Sequence, residues 1–490
     1  MEVLNSNKGR VKIIFQGNMY TKHYEGKDSI NWRCVRRAYG CKGTMKTSLN
    51  QTQPRPGNDH NHDIDQVGAE IAKARQEMKM RASTTHDTPK QIYTDTVRNL
   101  PREVQASLPS RAVVRRTLLN QRRGPAEPDS LADLVLDPEF TMTEGPNPAQ
   151  FLLYDNGPQA QSRIIAFATE ECLAHFANAE LCYMDGNFAM SPKLFKQLYI
   201  VRVPLGLDNE SVDVTVVYAF LQRKTKAIYV ELFQAILDKV TELGLQPRLR
   251  TIVTDFEIAV MQASDEVFPP HRHQGCFYHL TQATWRKIQE LGLIEHYRDT
   301  ADFRHFVGML DGLAFLPEVD IERGFDYLRN IAPPQANGLL EYFERTYVRG
   351  PVHQRQGQQF NMRYRLPPIF PPRTWNVNEA TIDGNPRTNN SCESWNFGFL
   401  KQVGHYHPTF WKALQNLKAE QSAVEVAISQ FLIGNPPKKE IKRVYRDLQH
   451  RLRNLCVDLR DGRRDMAQFL QAISHNIRPL RILNVEPDDA

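Results

Sequence analysis

The stretch ELCYMDGNF at residues 180–188 is an apolar run that ends in a carboxylate, Asp185. The stretch RTIVTDFE at residues 250–257 repeats the pattern and ends in Asp255. Apolar runs of this length, bounded by polar residues, predict buried β-strands. A carboxylate at the C-terminal end of such a strand projects into the open edge of a sheet, where α/β proteins form their sites. The two runs therefore predict an α/β domain with a functional site at one sheet edge.

The sequence around these two runs alternates between strand and helix patterns. Further strands are predicted at 151–154, 163–168, 196–203, 212–221 and about 273–277. Helices are predicted at 225–243 and 257–267. A mostly helical stretch at 281–348 and an irregular stretch at 350–390 follow. Further helices are predicted at 391–432 and 438–474. This alternation predicts a mixed sheet with covering helices, followed by a largely helical half.

A third acid, Glu393 in RTNNSCESWN, comes from a separate element. Three such carboxylates can hold two divalent metals about 3.5–4 Å apart, one activating an attacking oxygen and the other stabilising the leaving oxygen of a phosphodiester. Oxygen ligands suit Mg²⁺ or Mn²⁺. However, Asp at a strand end is also a common turn former or helix cap, and Glu393 could simply favour a helix N-terminus. Spacing alone leaves both interpretations open.

Cys34 and Cys41 are followed by His60 and His62 in a segment with four short strand patterns. Two thiolates and two imidazoles form the tetrahedral set that zinc prefers in structural sites. A domain of about 60 residues has a small core, so a bound metal would supply much of its stability. The alternative is four unrelated residues, because the histidines lie in a polar loop. Their occurrence together in one strand-rich segment favours a zinc site.

The net charge of +6 on 490 residues is unevenly distributed. Residues 1–124 carry +12, residues 125–437 carry −10, residues 438–464 carry +6, and the last 26 residues carry −2. Basic ends indicate a polyanion partner, most often nucleic acid, although solvated basic surfaces without a partner are the alternative. Helical spacing at 67–82, 89–99 and 110–123 suggests a basic helical unit. The candidate DNA-binding residues are Arg36, Arg37, Lys42, Arg111, Arg115, Arg116, Arg122 and Arg123.

The composition argues against several other classes of protein. Apolar residues make up 41% and charged residues 24%, as in globular proteins, which excludes full disorder. No apolar run approaches the roughly 20 residues of a membrane helix, and the first residues lack a secretory signal pattern. Seven sparse cysteines argue against a disulfide framework and for a reducing compartment. We therefore expect no membrane partner.

The N-terminal segment resembles the FLYWCH zinc finger family. The residues that carry the resemblance are, in order, Phe15, Tyr20, Trp32, Cys34, Cys41, His60 and His62. The resemblance implies one Zn²⁺ ion held by the two cysteines and two histidines, and an association with DNA binding and protein contacts.

Residues of about 150–432 resemble the transposase domain of the MULE group, related to Mutator-like elements. The motifs are Asp185-Gly186-Asn187-Phe188, Thr254-Asp255-Phe256-Glu257, Cys276-Phe277-Tyr278-His279, and Arg387-Thr388-Asn389-Asn390 with Glu393 and Trp395. The resemblance implies an α/β ribonuclease H-like (retroviral integrase-like) core with an all-α insertion at about 281–386. Asp185, Asp255 and Glu393 would be the catalytic ligands of Mg²⁺ or Mn²⁺. Cys276 and His279 would orient DNA or an active-site ligand, or stabilise the sheet edge.

The patterns and resemblances together predict four segments. These are a FLYWCH-type zinc finger at 1–65, a basic helical DNA-binding segment at 66–124, the transposase domain at 150–432 and a basic helical tail at 433–490. The expected function is a Mutator-like DNA transposase that cleaves transposon ends and joins them to target DNA. The alternative is a domesticated, non-catalytic DNA-binding regulator derived from such an enzyme. Double-stranded DNA as partner, a homodimer or higher homo-oligomer, and a nuclear location are the accompanying expectations.

Overall fold

The computed structural model describes residues 1–5, 11–85, 87–121, 125, 127–206, 211–356 and 361–478. Arg122 and Arg123, two of the predicted DNA-binding residues, lie outside the described residues, as does the end of the predicted tail. The chain divides into two compact units, Met1–Ala126 and Glu127–Ala490. No helix of the described residues is long and apolar enough to cross a membrane.

The first unit begins with a six-stranded antiparallel sheet whose strands pair in chain order. The strands are β1 (Glu2–Asn5), β2 (Val11–Phe15), β3 (Asn18–Glu25), β4 (Ile30–Cys34), β5 (Thr44–Thr47) and β6 (Arg55–Pro56). Its small core centres on Trp32, whose indole Nε1 donates to Thr47 Oγ1 at 2.9 Å. The four predicted strands are confirmed, and β1 and β6 are additional.

Four helices complete the first unit: α1 (Gln66–Thr84), α2 (Pro89–Arg98), α3 (Arg102–Ser107) and α4 (Arg111–Gln121). Helix α1 starts at Asp65, whose carboxylate accepts from the Gly68 backbone N–H at 2.9 Å. Helix α4 buries Val114 and Leu118 against α1 and α2, so its charged residues face outward. The predicted helices are confirmed within the described residues, and the short α3 is additional.

The second unit is built on a seven-stranded mixed sheet in the order β13-β12-β9-β10-β11-β8-β7. The strands are β7 (Leu152–Asp155), β8 (Ile164–Phe167), β9 (Leu181–Asn187), β10 (Gln197–Pro204), β11 (Asp213–Leu221), β12 (Thr251–Thr254) and β13 (Arg272–Gly275). Strands β9, β12 and β13 run parallel, and the remaining neighbours pair antiparallel. The predicted mixed α/β sheet is thus confirmed.

Helices cover both faces of this sheet because its central strands are apolar on both sides. On β11, Ala219 and Leu221 face one core and Tyr218 and Phe220 face the other. The first core is closed by α5 (Glu170–Asn178), α6 (Lys226–Glu242) and α7 (Ile258–Val267). The second is closed by α15 (Asn390–Val403) and the start of α16 (Phe410–Leu432).

A helical core lies beyond the sheet. It is formed by α8 (Phe277–Glu290), α9 (Ile294–Asp299), α10 (Ala301–Gly312), α11 (Ile321–Ile331), α12 (Asn337–Phe343), α13 (Pro372–Trp375), α14 (Asn378–Asp383), α17 (Arg443–Arg460) and α18 (Met466–Ile477). Helices α17 and α18, from the predicted tail, therefore pack into the same core as the predicted insertion. The four predicted segment boundaries remain predictions.

Three secondary-structure predictions need correction. The stretch 350–390 is not irregular throughout, because it contains a hairpin of β14 (Val352–Gln356) and β15 (Asn361–Arg365) besides α13 and α14. The helix predicted at 391–432 is divided at Gly404, which takes the left-handed conformation (φ +85°) that ends α15. The predicted helix at 438–474 starts at Arg443 and is divided between α17 and α18.

Candidate metal centres

Two parallel strands bring Asp185 and Asp255 to the same end of the large sheet. Strands β9 and β12 are parallel neighbours, with Tyr183 paired to Val253. Asp185 lies two residues further along β9, and Asp255 follows Thr254, the last residue of β12. The two acids therefore lie at the same end of the sheet, close enough that the charge of Asp255 raises the pKa of Asp185. The apolar runs that predicted the two strands thus bring their two acids to one sheet edge.

Helix α15 brings the third acid to the same edge. Asn396 Nδ2 donates a 2.8 Å hydrogen bond to Asp185 Oδ2, and the Gly186 backbone N–H donates to Oδ1 at 2.7 Å. Glu393 lies three residues before Asn396, so the two side chains share one face of the helix. The contact made by Asn396 therefore turns the face of α15 that carries Glu393 toward Asp185.

His279, near the start of α8, lies between the second acid and the third. Its Nδ1 is 2.8 Å from Asp255 Oδ1. One ligand atom each from Cys276, His279 and Glu393 lies within 4.8 Å of the others. Among the described residues, no group of possible metal ligands with all atoms within 4.8 Å of one another contains Asp185, Asp255 and Glu393 together. The three carboxylates therefore occupy a wider space than the coordination shell of one ion.

The charges at this edge affect one another. Burial and the neighbouring Asp255 raise the pKa of Asp185 to about 6. Burial also raises the pKa of Glu393. For His279, burial lowers the pKa, but contacts with Asp255 and Cys276 outweigh it and raise the pKa to about 10. The edge thus concentrates negative charge, which a cation stabilises, and His279 supplies one positive charge to Asp255.

Cys276 has a structural contact at this edge. The buried Sγ accepts from the Asn389 backbone N–H at 3.2 Å, and Asn389 Nδ2 donates to the Met184 carbonyl at 3.2 Å. The Phe277 N–H also donates to the Arg387 carbonyl at 2.9 Å. These bonds hold the loop before α15 against the ends of β9 and β13, which fixes the start of the helix that carries Glu393.

The four predicted zinc ligands converge in the first unit. Cys34 Sγ lies 3.3 Å from His62 Nε2, Cys41 Sγ lies 3.4 Å from His60 Nδ1, and the two ring nitrogens are 3.3 Å apart. Tetrahedral zinc with usual bond lengths places sulfur and nitrogen ligands about 3.5 Å apart, and two nitrogens about 3.4 Å apart. The four atoms therefore fit one zinc ion.

Hydrogen bonds fix the orientation of these ligands. His60 Nε2 is 2.7 Å from the Tyr20 hydroxyl, and His62 Nδ1 is 2.7 Å from the Asp63 carbonyl. Each ring thus uses its other nitrogen for a hydrogen bond and keeps the converging nitrogen free for a metal. Backbone N–H groups of Arg36 and Gly43 point at the sulfurs of Cys34 and Cys41, both at 3.3 Å.

The predicted DNA-binding residues differ in their exposure and in whether they pair with an acid of the protein. Arg36 is half-buried and paired with Asp65 Oδ2 at 2.9 Å, so its charge is partly neutralised within the protein. Arg37 and Lys42 are exposed near the zinc ligands. The exposed arginines of α4 are Arg111, Arg115 and Arg116.

Both resemblances are matched by known domain families. Residues 3–62 match the FLYWCH zinc finger domain, and residues 181–283 match the MULE transposase domain. The chain is similar to both. The two matches confirm the resemblances and indicate a Mutator-like transposase or a derivative of one, with DNA as the partner to expect. No curated protein matches the chain.

The extents of the two matches bear on the sites. The FLYWCH match includes all four zinc-fitting residues. The MULE match includes Asp185, Asp255, Cys276 and His279 but ends before Glu393. The choice of Glu393 as a candidate ligand therefore depends on the structure and on the RTNN motif.

Sequence reasoning missed Asn396. Its only signal is its position one helical turn after Glu393, which places an amide beside a candidate ligand.

Proposed function

We propose that the chain is a DNA transposase of the Mutator-like type, which cleaves transposon ends and joins them to target DNA. The observation that carries the proposal is the parallel pairing of β9 and β12, because Asp185 near the end of β9 and Asp255 just after β12 come to the same end of the sheet, within the region matched by the MULE domain. Support for a ribonuclease H-like core comes from five of the seven strands: β9, β10 and β11 pair antiparallel in chain order, and β12 and β13, each reached through a helix, add in parallel beside β9. The acids lie at one end of this part of the sheet.

The residues at this edge fit a divalent metal. The neighbouring acids and the raised pKa of Asp185 indicate carboxylates that a cation would stabilise, and their oxygens suit Mg²⁺ or Mn²⁺. Asp185, Asp255 and Glu393 would hold such ions, which would activate the attacking oxygen and stabilise the leaving oxygen of the phosphodiester. Asn396 and the Gly186 N–H hold the Asp185 carboxylate in one orientation. His279 acts on Asp255 by charge, with its Nδ1 2.8 Å from Asp255 Oδ1.

The reaction proposed for this site has two steps. Water attacks a phosphodiester at the transposon end and releases a 3′-hydroxyl. That hydroxyl then attacks a phosphodiester of the target DNA, so one bond forms as another breaks and no external energy source is needed. In each step the acids would orient the attacking oxygen toward the phosphorus atom that occupies the same place in the site.

Strand transfer of a pre-cleaved transposon end in Mg²⁺ tests the proposal. The DNA would carry the repeats that flank the coding sequence. We expect Asp185→Asn and Glu393→Gln to lower the rate at least about 100-fold, since a metal contributes several kcal/mol to the transition state. Glu290→Gln, at an exposed position paired with Lys287, is the matched control and should retain the wild-type rate. Equal rates in all four proteins would reject the catalytic assignment.

A domesticated DNA-binding regulator is the second candidate. The observation that favours it is His279, whose ring sits 2.8 Å from Asp255 and already compensates one of the acids. This candidate predicts that the wild-type chain binds the same DNA without any strand transfer, and that acid substitutions leave DNA binding unchanged.

DNA binding, assembly and location form the remaining parts of the proposal. The exposed arginines of α4 and the exposed Arg37 and Lys42 would contact phosphates. Joining two transposon ends favours a homodimer or larger homo-oligomer, which light scattering with and without end DNA would detect. Work on chromosomal DNA favours a nuclear location, which imaging of the tagged chain would test.

A further inference from the structure

Outside both centres, two histidines and an aspartate converge at the outer edge of the large sheet. His271 precedes β13, His273 lies in this edge strand, and Asp265 lies in the last turn of α7. Residues two apart on an extended chain point to the same side. The residue between them, Arg272, points away and donates from Nη2 to the Asn376 carbonyl at 3.0 Å. The sequence pattern H-x-H therefore directs both imidazoles toward α7.

The distances in this cluster match those around a single metal ion. His273 Nε2 lies 3.1 Å from both His271 Nε2 and Asp265 Oδ1, and His271 Nε2 lies 3.8 Å from the same oxygen. Nitrogen and oxygen ligands of one zinc ion lie about 3.3 Å apart. The three atoms thus surround a point at which each could be about 2 Å from an ion.

The hydrogen bonding of His271 leaves its converging nitrogen free as a ligand. His271 Nδ1 is 2.8 Å from the Pro269 carbonyl, so the proton of a neutral ring lies on Nδ1 and the Nε2 lone pair faces His273 and Asp265. The two imidazoles are almost completely buried, with side-chain exposures of 1% and 8%, whereas Asp265 is 63% exposed. A metal here would have His271 oriented by its second nitrogen, His273 whose Nε2 also lies 3.1 Å from the Ser264 hydroxyl, and an opening to solvent on the Asp265 side.

We propose that Asp265, His271 and His273 form a second zinc site, separate from the FLYWCH zinc finger and from the three acids. Two imidazoles and one carboxylate suit zinc, which in three-ligand sites keeps a fourth position for water. The site would fasten the end of α7 to edge strand β13. Because β13 leads directly into Cys276, the metal would stabilise the sheet edge next to the candidate active site.

Metal content of the full-length chain tests the proposal. The protein would be stripped with a chelator, reloaded with Zn²⁺, desalted and analysed for zinc per chain by atomic emission. Asp265→Asn and His271→Gln should each carry one zinc fewer than wild type. The exposed Asp299→Asn and His296→Gln are matched controls and should keep the wild-type content. Wild-type zinc content in both Asp265→Asn and His271→Gln would overturn the site.

Cobalt spectroscopy distinguishes this site from the zinc finger. Co²⁺ in the finger gives thiolate-to-metal charge transfer, which the new site cannot give because it has no sulfur ligand. Asp265→Asn should therefore lose part of the ligand-field absorption while retaining the full charge-transfer band, and Cys41→Ser should weaken that band because one of the finger's two thiolates is removed. Asp265 is mostly exposed, so its substitution by Asn should not disturb folding, which a thermal melt would verify. An unchanged cobalt spectrum in Asp265→Asn would also overturn the site.

Discussion

Gly43→Ala tests whether His60 is a ligand of the FLYWCH zinc finger. A β-carbon at Gly43 would lie 2.5, 2.6 and 2.8 Å from three atoms of the His60 ring. Carbon contacts need about 3.5 Å, so the ring would have to move by about 1 Å. The ring is held on both sides, since Nε2 bonds to the Tyr20 hydroxyl at 2.7 Å and Nδ1 faces the other zinc ligands.

Such a displacement is incompatible with metal binding through His60. Metal–ligand distances tolerate changes of about 0.2 Å, so the substitution removes one of four ligands. Loss of an outer-shell partner alone weakens metal binding about 10- to 100-fold. We therefore expect the zinc affinity of Gly43→Ala to fall at least about 100-fold, which corresponds to about 2.7 kcal/mol.

Competition for zinc between the full-length chain and a chromogenic chelator measures this change. Gly26→Ala is the matched control in the same domain, because its β-carbon would meet only the Ser29 carbonyl at an ordinary 3.4 Å. We expect the control to bind zinc like the wild type. If Gly43→Ala bound zinc as tightly as Gly26→Ala, the assignment of His60 as a ligand would be refuted.

Three further predictions concern the acids, the helical core and DNA. Asn396→Ala removes the 2.8 Å bond to Asp185 and should raise the Mg²⁺ concentration needed for strand transfer about 10- to 100-fold; an unchanged Mg²⁺ titration would contradict this. Arg478→Met leaves the fully buried Asp311 without its cation and should cost about 3–5 kcal/mol in urea unfolding. Burial already raises the pKa of Asp311, so the folded state favours its protonated form. The loss of unfolding free energy in Arg478→Met should therefore be small below the unfolded pKa of about 3.9 and grow as pH rises. A loss independent of pH would contradict the reasoning. Replacing the three exposed arginines of α4 with alanine should make the salt dependence of DNA binding shallower by up to about three units of log–log slope, and an unchanged slope would exclude them as phosphate contacts.

The strands of the large sheet could be predicted because apolar runs between polar residues have few other stable arrangements in water. The same reasoning missed α5, whose nine residues are too few for a clear helical period. It also joined α15 to α16, because the pattern continues across Gly404 and only the backbone conformation there ends the first helix. The hairpin of β14 and β15 was missed since the surrounding prolines and asparagines are typical of irregular structure.

The sequence predicted that the first unit is basic, but not which of its basic side chains form ion pairs within the protein. Arg36 stands two residues after Cys34 in the sequence and was therefore grouped with Arg37 and Lys42. In the folded unit it binds Asp65, which also caps α1. An ion pair between residues 29 positions apart depends on the path of the chain between them, which local sequence does not specify.

The sequence by itself determined the types of candidate ligand and their places in the chain: two cysteines and two histidines in a strand-rich segment, and acids at the ends of two apolar runs. Tertiary structure decided which of these atoms meet. The parallel pairing of β9 and β12 brought Asp185 and Asp255 to the same end of the sheet, α15 added Asn396, and His279 came into contact with Asp255. The hydrophobic composition and periodicity of a segment depend on which of its residues are buried. Hydrogen bonds and metal coordination instead require that atoms of residues far apart in the sequence lie within a few tenths of an ångström of the right distance. Only packing of the whole unit sets those distances.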